Sequence, residues 1–166
     1  MKFLLAAVPV LLLSSVVFAI PAVGDYAKYS LNMTVNGQVL AGTLEETLTA
    51  YDPASDSFTE QIVVTDQNGN AQTQLSTTQR SQLLNDAVLG QLPAVCAQAG
   101  GSLGSTTVPA GTFNTCNVPA SNGSTGNVWI GDVPFGIVQA NVADSSSGTT
   151  TALALLAYTT GTGAAK

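Results

Sequence analysis

The chain has no histidine, and only four of its 166 residues are basic. Without an imidazole, a Ser-His-Asp or Cys-His arrangement lacks its general base. A zinc site would be left with two cysteines and no nitrogen ligand. The four cations stand against 10 acidic residues, for a net charge of −6. That balance repels polyanions, so nucleic acid is excluded as a partner and an anionic membrane face is disfavoured. Charged residues amount to 8 % of the chain while apolar ones reach 45 %, the reverse of a disordered composition. Abundant Thr, Ser, Asn, Gln and Gly suit an exported β-rich protein whose solvent faces are polar without being charged.

Long apolar runs are confined to the start. Met1-Lys2-Phe3 leads into apolar residues from Leu4 to Ala19, broken only by Pro9 and Ser14-Ser15. One positive charge, an apolar stretch and the small residue Ala19 after Val17 have the form of a secretory signal peptide, residues 1–19. Cleavage after Ala22 and an uncleaved anchor are the alternatives, since the run is close to the roughly 18 residues a span requires. The remainder, read as one domain over 20–158 with a flexible tail at 159–166, is long enough for a proper core. Localisation is expected to be periplasmic or secreted. In such a compartment Cys96 and Cys116 are expected to form a disulfide with each other; two free thiols are the competing reading.

Strand signals dominate the rest of the chain. Tyr29–Val35 alternates apolar and polar, Asn36-Gly37 is a tight hairpin turn, and a second strand covers Val39–Tyr51. Asp52–Asp56 turns into a third strand, Ser57–Thr65, and Asp66–Asn70 into a polar fourth, Ala71–Ser76. From Thr78 to Ala99 the spacing of Leu84, Val88, Leu92 and Val95 is helical, with a kink or break at Gly90–Pro93 and a stop at Gly100-Gly101. Pro93 would open a second short helix. Strands then resume at Thr112–Val118, Asn127–Ile130, Ile137–Val142 and Thr149–Tyr158. The expected fold class is α+β: a curled antiparallel sheet, or half-barrel, of seven to eight strands enclosing one kinked helix. The disulfide would staple that helix to the sheet it covers.

The segment Val108-Pro-Ala-Gly-Thr-Phe-Asn-Thr-Cys116, then Trp129-Ile-Gly-Asp-Val-Pro-Phe-Gly-Ile-Val138 and a closing strand Ala152–Tyr158, resembles exported bacterial half-barrel proteins of unknown function. These are similar in architecture to the LolA/LolB-like periplasmic lipoprotein carriers. The resemblance implies an incomplete barrel around a helical lid, an apolar cavity between them, and binding of acyl chains. The chain departs from the carriers in offering no basic residue for a phosphate headgroup beyond Arg80.

The candidate chemistry is correspondingly sparse. Glu45 and Glu46 are neighbours on a strand and so point to opposite faces. Asp52, Asp56 and Glu60 read as solvated turn residues, and Asp66–Asn70 as a hairpin turn in preference to a calcium loop. No catalytic residue, metal site or cofactor is expected, and the chain is read as a non-enzyme. The ligand cavity would have Leu84, Val88 and Leu92 as its helical wall and Phe113, Trp129 and Phe135 at its mouth; ordinary core packing is the plainer role for the aromatics. The partner would be a lipid or other apolar small molecule. The alternative is a structural or protein-interaction module of the cell envelope with a filled core.

Overall fold

The computed structural model describes residues 21–83, 91–121 and 123–161. The expected signal peptide, most of the expected first helix and the last residues of the tail therefore lie outside the described residues. The strands are β1 (Tyr26–Val35), β2 (Gln38–Asp52), β3 (Ser57–Asp66), β4 (Ala71–Gln79), β5 (Ser102–Val108), β6 (Gly111–Pro119), β7 (Ser124–Gly131), β8 (Ile137–Asp144) and β9 (Thr149–Thr159). A 3-10 turn at Arg80–Gln82 succeeds β4, and helix α1 spans Leu92–Gln98.

All nine strands form one sheet in the order β4-β3-β2-β1-β9-β8-β7-β6-β5. Two antiparallel meanders, β1–β4 and β5–β9, are thus joined where the first strand pairs the last. Asp25 ties this seam at its end: its carboxylate accepts N–H bonds from Ala22 at 2.9 Å and Gly161 at 2.6 Å. The strands β4 and β5 end the order, so the sheet is open, and the β5–β6 hairpin folds back until the Ala110 N–H reaches the Leu155 carbonyl at 3.1 Å. A curled antiparallel sheet is what the alternation of the sequence implies.

The turn chemistry agrees closely with the sequence. Asn36 and Gly37 both take positive φ, 50° and 77°, as a two-residue hairpin requires. Gly100, at φ 71°, closes α1. Its N–H reaches the Ala97 carbonyl and the Gly101 N–H reaches that of Cys96, which satisfies the last carbonyls of the helix.

Two expectations need correcting. The described residues form nine strands, not seven to eight, because Ser102–Val108 is a strand that Gly104 and a run of small polar residues conceal. Among the described residues the helix is also much shorter than the part of the periodic stripe they cover. Thr78 and Gln79 belong to β4, Leu83 is extended, and α1 begins only at Leu92 with Pro93 in its first turn. A proline tolerated in a first turn but not mid-helix sets that start.

The core centres on the seam. Ala27, Tyr29, Val108, Val133, Val138 and Leu155 are buried together, with Phe113, Phe135 and Leu153 packed against them. The β5–β6 hairpin has one face on the core, while its other face is largely exposed except around Cys116. Phe113 and the hydrogen-bonded pair Thr106–Thr115 (2.8 Å) face inward, whereas Cys116, three residues from Phe113, faces the other way and is bonded to Cys96 of α1. The cysteine Cα atoms are 5.6 Å apart, within the usual disulfide span.

Candidate functional site

One face of the β1–β4 meander grades from buried to open. Alternation places Ala27, Tyr29, Leu31 and Met33 of β1 on this face. Register adds Leu48, Glu46, Leu44, Gly42 and Leu40 of β2, then Phe58, Glu60, Ile62 and Val64 of β3. At one end Leu48 and Phe58 are 1 % and 0 % exposed; at the other Leu40 and Val64 are 54 % and 38 % exposed. Between the open ends lies a cavity of about 280 Å³ lined by Leu31, Met33, Leu40, Gly42, Val64 and Gln72, with Asp66 and Asn70 at its lip. Gly42 is needed in its floor, since a Cβ there would collide with the Thr65 carbonyl.

The lip is rigid. The Asp66 carboxylate accepts bonds from the N–H groups of Asn68 and Asn70 and from the Asn70 side chain, at 2.8–2.9 Å. These bonds hold the Asp66 carboxyl below its ordinary pKa, the Asn70 side chain contributing most. The hairpin reading of Asp66–Asn70 is thereby explained: the side chain organises the turn it sits in.

Beyond Leu44 and Ile62 the same face carries Glu46 and Glu60. They come to one side because of a bulge. From Asp52↔Ser57 to Ala50↔Thr59 the β2–β3 pairing is regular, then Thr49 is passed over and Leu48 pairs Glu60. Without that skip Glu46 would lie opposite Val63 and on the other side from Glu60, because a one-residue slip exchanges faces. The Thr49 hydroxyl bonds the Thr59 carbonyl at 3.1 Å and holds the bulge.

The two carboxyls differ in their support. Glu60, only 9 % exposed, accepts a 2.7 Å bond from the Thr78 hydroxyl of β4. Glu46 is pushed up to about 7, first by burial and then by the charge of Glu60. Tyr29 is buried beside them, and its hydroxyl has no hydrogen-bond partner. Burial chiefly, with the charges of Glu46 and Glu60 added, raises the Tyr29 phenol. Glu45 does face away from Glu46, as expected, and pairs Lys28 at 2.8 Å on the opposite side of the sheet. Glu60 corrects the reading of it as a solvated turn residue: it lies inside β3, four residues past the turn, on the buried face.

The aromatic residues singled out in the sequence are elsewhere. Phe113 and Phe135 pack on the core cluster, and Phe113 meets Tyr158 edge-on with ring centroids 5.8 Å apart. Phe135 has a φ of 61°, a conformation costing about 1–3 kcal/mol in a bulky residue. Trp129 is half-buried and pairs Asn117 and Gln139, on the face of β6 opposite Cys116 and hence opposite α1. Leu92 is half-buried at the start of α1. Leu84 and Val88 lie outside the described residues. Arg80 is drawn to Asp56 at 3.8 Å. Among the described residues no group of three or more His, Cys, Asp or Glu is arranged to hold a metal, and no helix is long and apolar enough to cross a membrane.

No family model and no curated protein matches the chain. Solved structures with a similar shape include an exported protein with a YmcC-like fold from Bacteroides fragilis. It is 11 % identical with TM-score 0.47, and the match covers 86 % of this chain and 99 % of that one. A lipoprotein from Parabacteroides distasonis is 14 % identical with TM-score 0.44, covering 86 % and 98 %. MucB in the Pseudomonas aeruginosa MucA/MucB complex is 11 % identical with TM-score 0.46, covering 86 % of this chain and 54 % of MucB, about half its length. None of these three bears the name of the LolA/LolB-like carriers.

Proposed function

We propose that the protein is exported, to the periplasm or beyond, and there binds an apolar ligand such as an acyl chain in the trough of the β1–β4 meander. The observation that carries this reading is the open apolar end of that face: Leu31, Met33, Leu40 and Val64 surround about 280 Å³ of space. That volume is just under the roughly 300 Å³ at which small-molecule pockets begin, room for a short chain or one end of a longer one. Release of apolar ligand surface from water, worth about 25 cal/mol per Å² before entropic costs, is the driving force. The Cys96–Cys116 disulfide supports an oxidising compartment. The proposed activity is binding without catalysis.

Native mass spectrometry of the exported protein, before and after organic extraction, tests the reading. A lipid-sized adduct that extraction removes and that Met33→Asp and Leu40→Asp both lose is the expected result. Met33 and Leu40 are not part of the buried core, so the variants should fold. A clean apo mass, together with no uptake of added lipid, would rule the trough out as a ligand site.

A second reading, a protein-interaction module of the envelope, is favoured by β4. This edge strand is exposed along most of its length, with Leu75 prominent at 64 %, and unpaired edges accept added strands. Protection of the β4 amides on mixing with envelope extract, without any lipid adduct, would favour this second reading over the first.

A further inference from the structure

The sheet face that forms the trough is not apolar throughout. Past Leu44 and Ile62 the face continues into Glu46, Glu60 and the Tyr29 hydroxyl. Two carboxyls side by side, Glu60 buried and Glu46 half-buried, are costly without a cation unless something compensates them. Among the described residues none does. Lys28 is on the other face with Glu45, and Arg80 is held at Asp56. Thr78 satisfies one oxygen of Glu60. Tyr29 points a second unanswered polar group into the same place, buried to 1 % exposure and lacking any partner. Acidic side chains alone would signify little; the orphaned phenol among them marks a polar end to an otherwise apolar sheet face.

The length fits an amphiphile. From Leu40 to Glu46 the chain advances six residues, roughly 20 Å of strand. A ligand lying along it would have its tail at the open apolar end and its head among the acids.

We infer that the inner end of the trough recognises the ammonium group of a single-chain amphiphile, with Glu46 and Glu60 as counter-charges and the Tyr29 oxygen as a neutral acceptor. This rests on the proposed binding of apolar ligands in the trough and specifies their head group. An ammonium has three N–H donors and no acceptor, which matches two carboxylates and a hydroxyl oxygen. A phosphate or carboxylate head would meet two like charges instead. The assignment thus explains why a trough shaped for a chain has no basic residue beside it.

Binding should track the protonation of Glu46. Glu46 titrates near 7, and the groups facing it are Tyr29 from β1 and Glu60 from β3, with uncharged Thr78 of β4 beyond; Tyr26, Lys28 and Glu45 lie on the opposite face. The preference for a cation should therefore be full above pH 8 and weaken as the pH falls toward 5.

The test is a calorimetric titration of the full chain with dodecylamine, dodecanol and dodecanoate, each below its micelle concentration. At pH 8 the amine is expected to bind at least ten-fold tighter than the alcohol, and dodecanoate most weakly. At pH 5 the gap between amine and alcohol should shrink several-fold. Glu46→Gln and Glu60→Gln should each cut the preference for amine over dodecanol several-fold without altering the far-UV circular dichroism. Equal binding of amine and alcohol to the unaltered protein at pH 8, or tightest binding of dodecanoate, overturns the head-group assignment and leaves the trough intact. Failure of all three amphiphiles to bind overturns both.

Discussion

The two edges of the sheet are held differently. The β5–β6 hairpin sets Phe113, Thr106 and Thr115 against the core and is bonded to α1 through Cys116, while most of β5, Leu103 included, is exposed. The β3–β4 hairpin at the far edge has an exposed outer strand, and its neighbours frame a cavity. Inside the first edge the Thr106 and Thr115 hydroxyls bond each other, while the buried Asn117 Oδ1, two residues further along β6, has no partner. The interior of the second contains two carboxyls and a phenol with too few partners. A covalent bond thus holds one edge, while the cavity and the carboxyls without a cation lie toward the other, the arrangement expected when binding occupies one side of a sheet.

That division can be broken at the seam first. Leu155 is fully buried where β9 pairs β1, so Leu155→Ala should cost about 2–5 kcal/mol, read from the urea midpoint at unchanged m-value. A loss under about 1 kcal/mol, well below that range, would mean the halves are not held through this core.

The stapled edge comes next. Replacing both Cys96 and Cys116 with Ala opens a loop of 20 residues and should cost about 3 kcal/mol on the chain-entropy model. Hydrogen exchange should rise in β5 and β6 and stay unchanged in β2 and β3. Faster exchange across the whole sheet would show that the two edges are not independent.

The open edge should respond with the opposite sign. Glu46 has its pKa raised from 4.5 to about 7 by burial and then by Glu60. A carboxyl raised in the folded state binds more protons folded than unfolded between those values, so its contribution to stability falls as the pH rises through that window. Glu46→Gln removes the penalty. It should stabilise the protein by roughly 1–2 kcal/mol at pH 8, allowing for solvent screening of a half-buried group, and make no difference at pH 4. Thermal melts at the two pH values check this; equal effects at both would separate Glu46 from the titration. The turn between β8 and β9 behaves oppositely: hydroxyl bonds from Ser146 and Ser147, with backbone N–H bonds behind them, pull Asp144 down to about 2. Its contribution is therefore present above its ordinary pKa and lost as the pH falls through about 2.

Local signals are the legible part of the sequence. Asn36-Gly37, Pro93, Gly100-Gly101 and the cysteine pair each act through a few neighbouring atoms, and each does in the structure what its chemistry implies. The strand Ser102–Val108 escapes detection because small polar residues around Gly104 have no alternation to read. The periodic stripe beginning at Thr78 overruns β4, where pairing with β3 outweighs helical spacing.

The polar end of the trough is harder still to read. Glu46 and Glu60 are 14 positions apart, and whether they share a face depends on the single skipped residue, Thr49. Nothing in local composition announces a bulge. The apolar end is partly visible: Leu44 lies on the face inferred for β2, yet Leu31, Met33 and Leu40 join it only through the β1–β2 register.

The central claim is that ligand occupies the β1–β4 half and leaves the stapled half untouched. Hydrogen–deuterium exchange of the full chain with and without saturating dodecylamine at pH 8 tests it most directly. Slowed exchange confined to Leu31–Met33, Leu40–Glu46 and Glu60–Val64 is the predicted result. Protection centred on β5–β7 around Trp129, or none anywhere in the sheet, would contradict it.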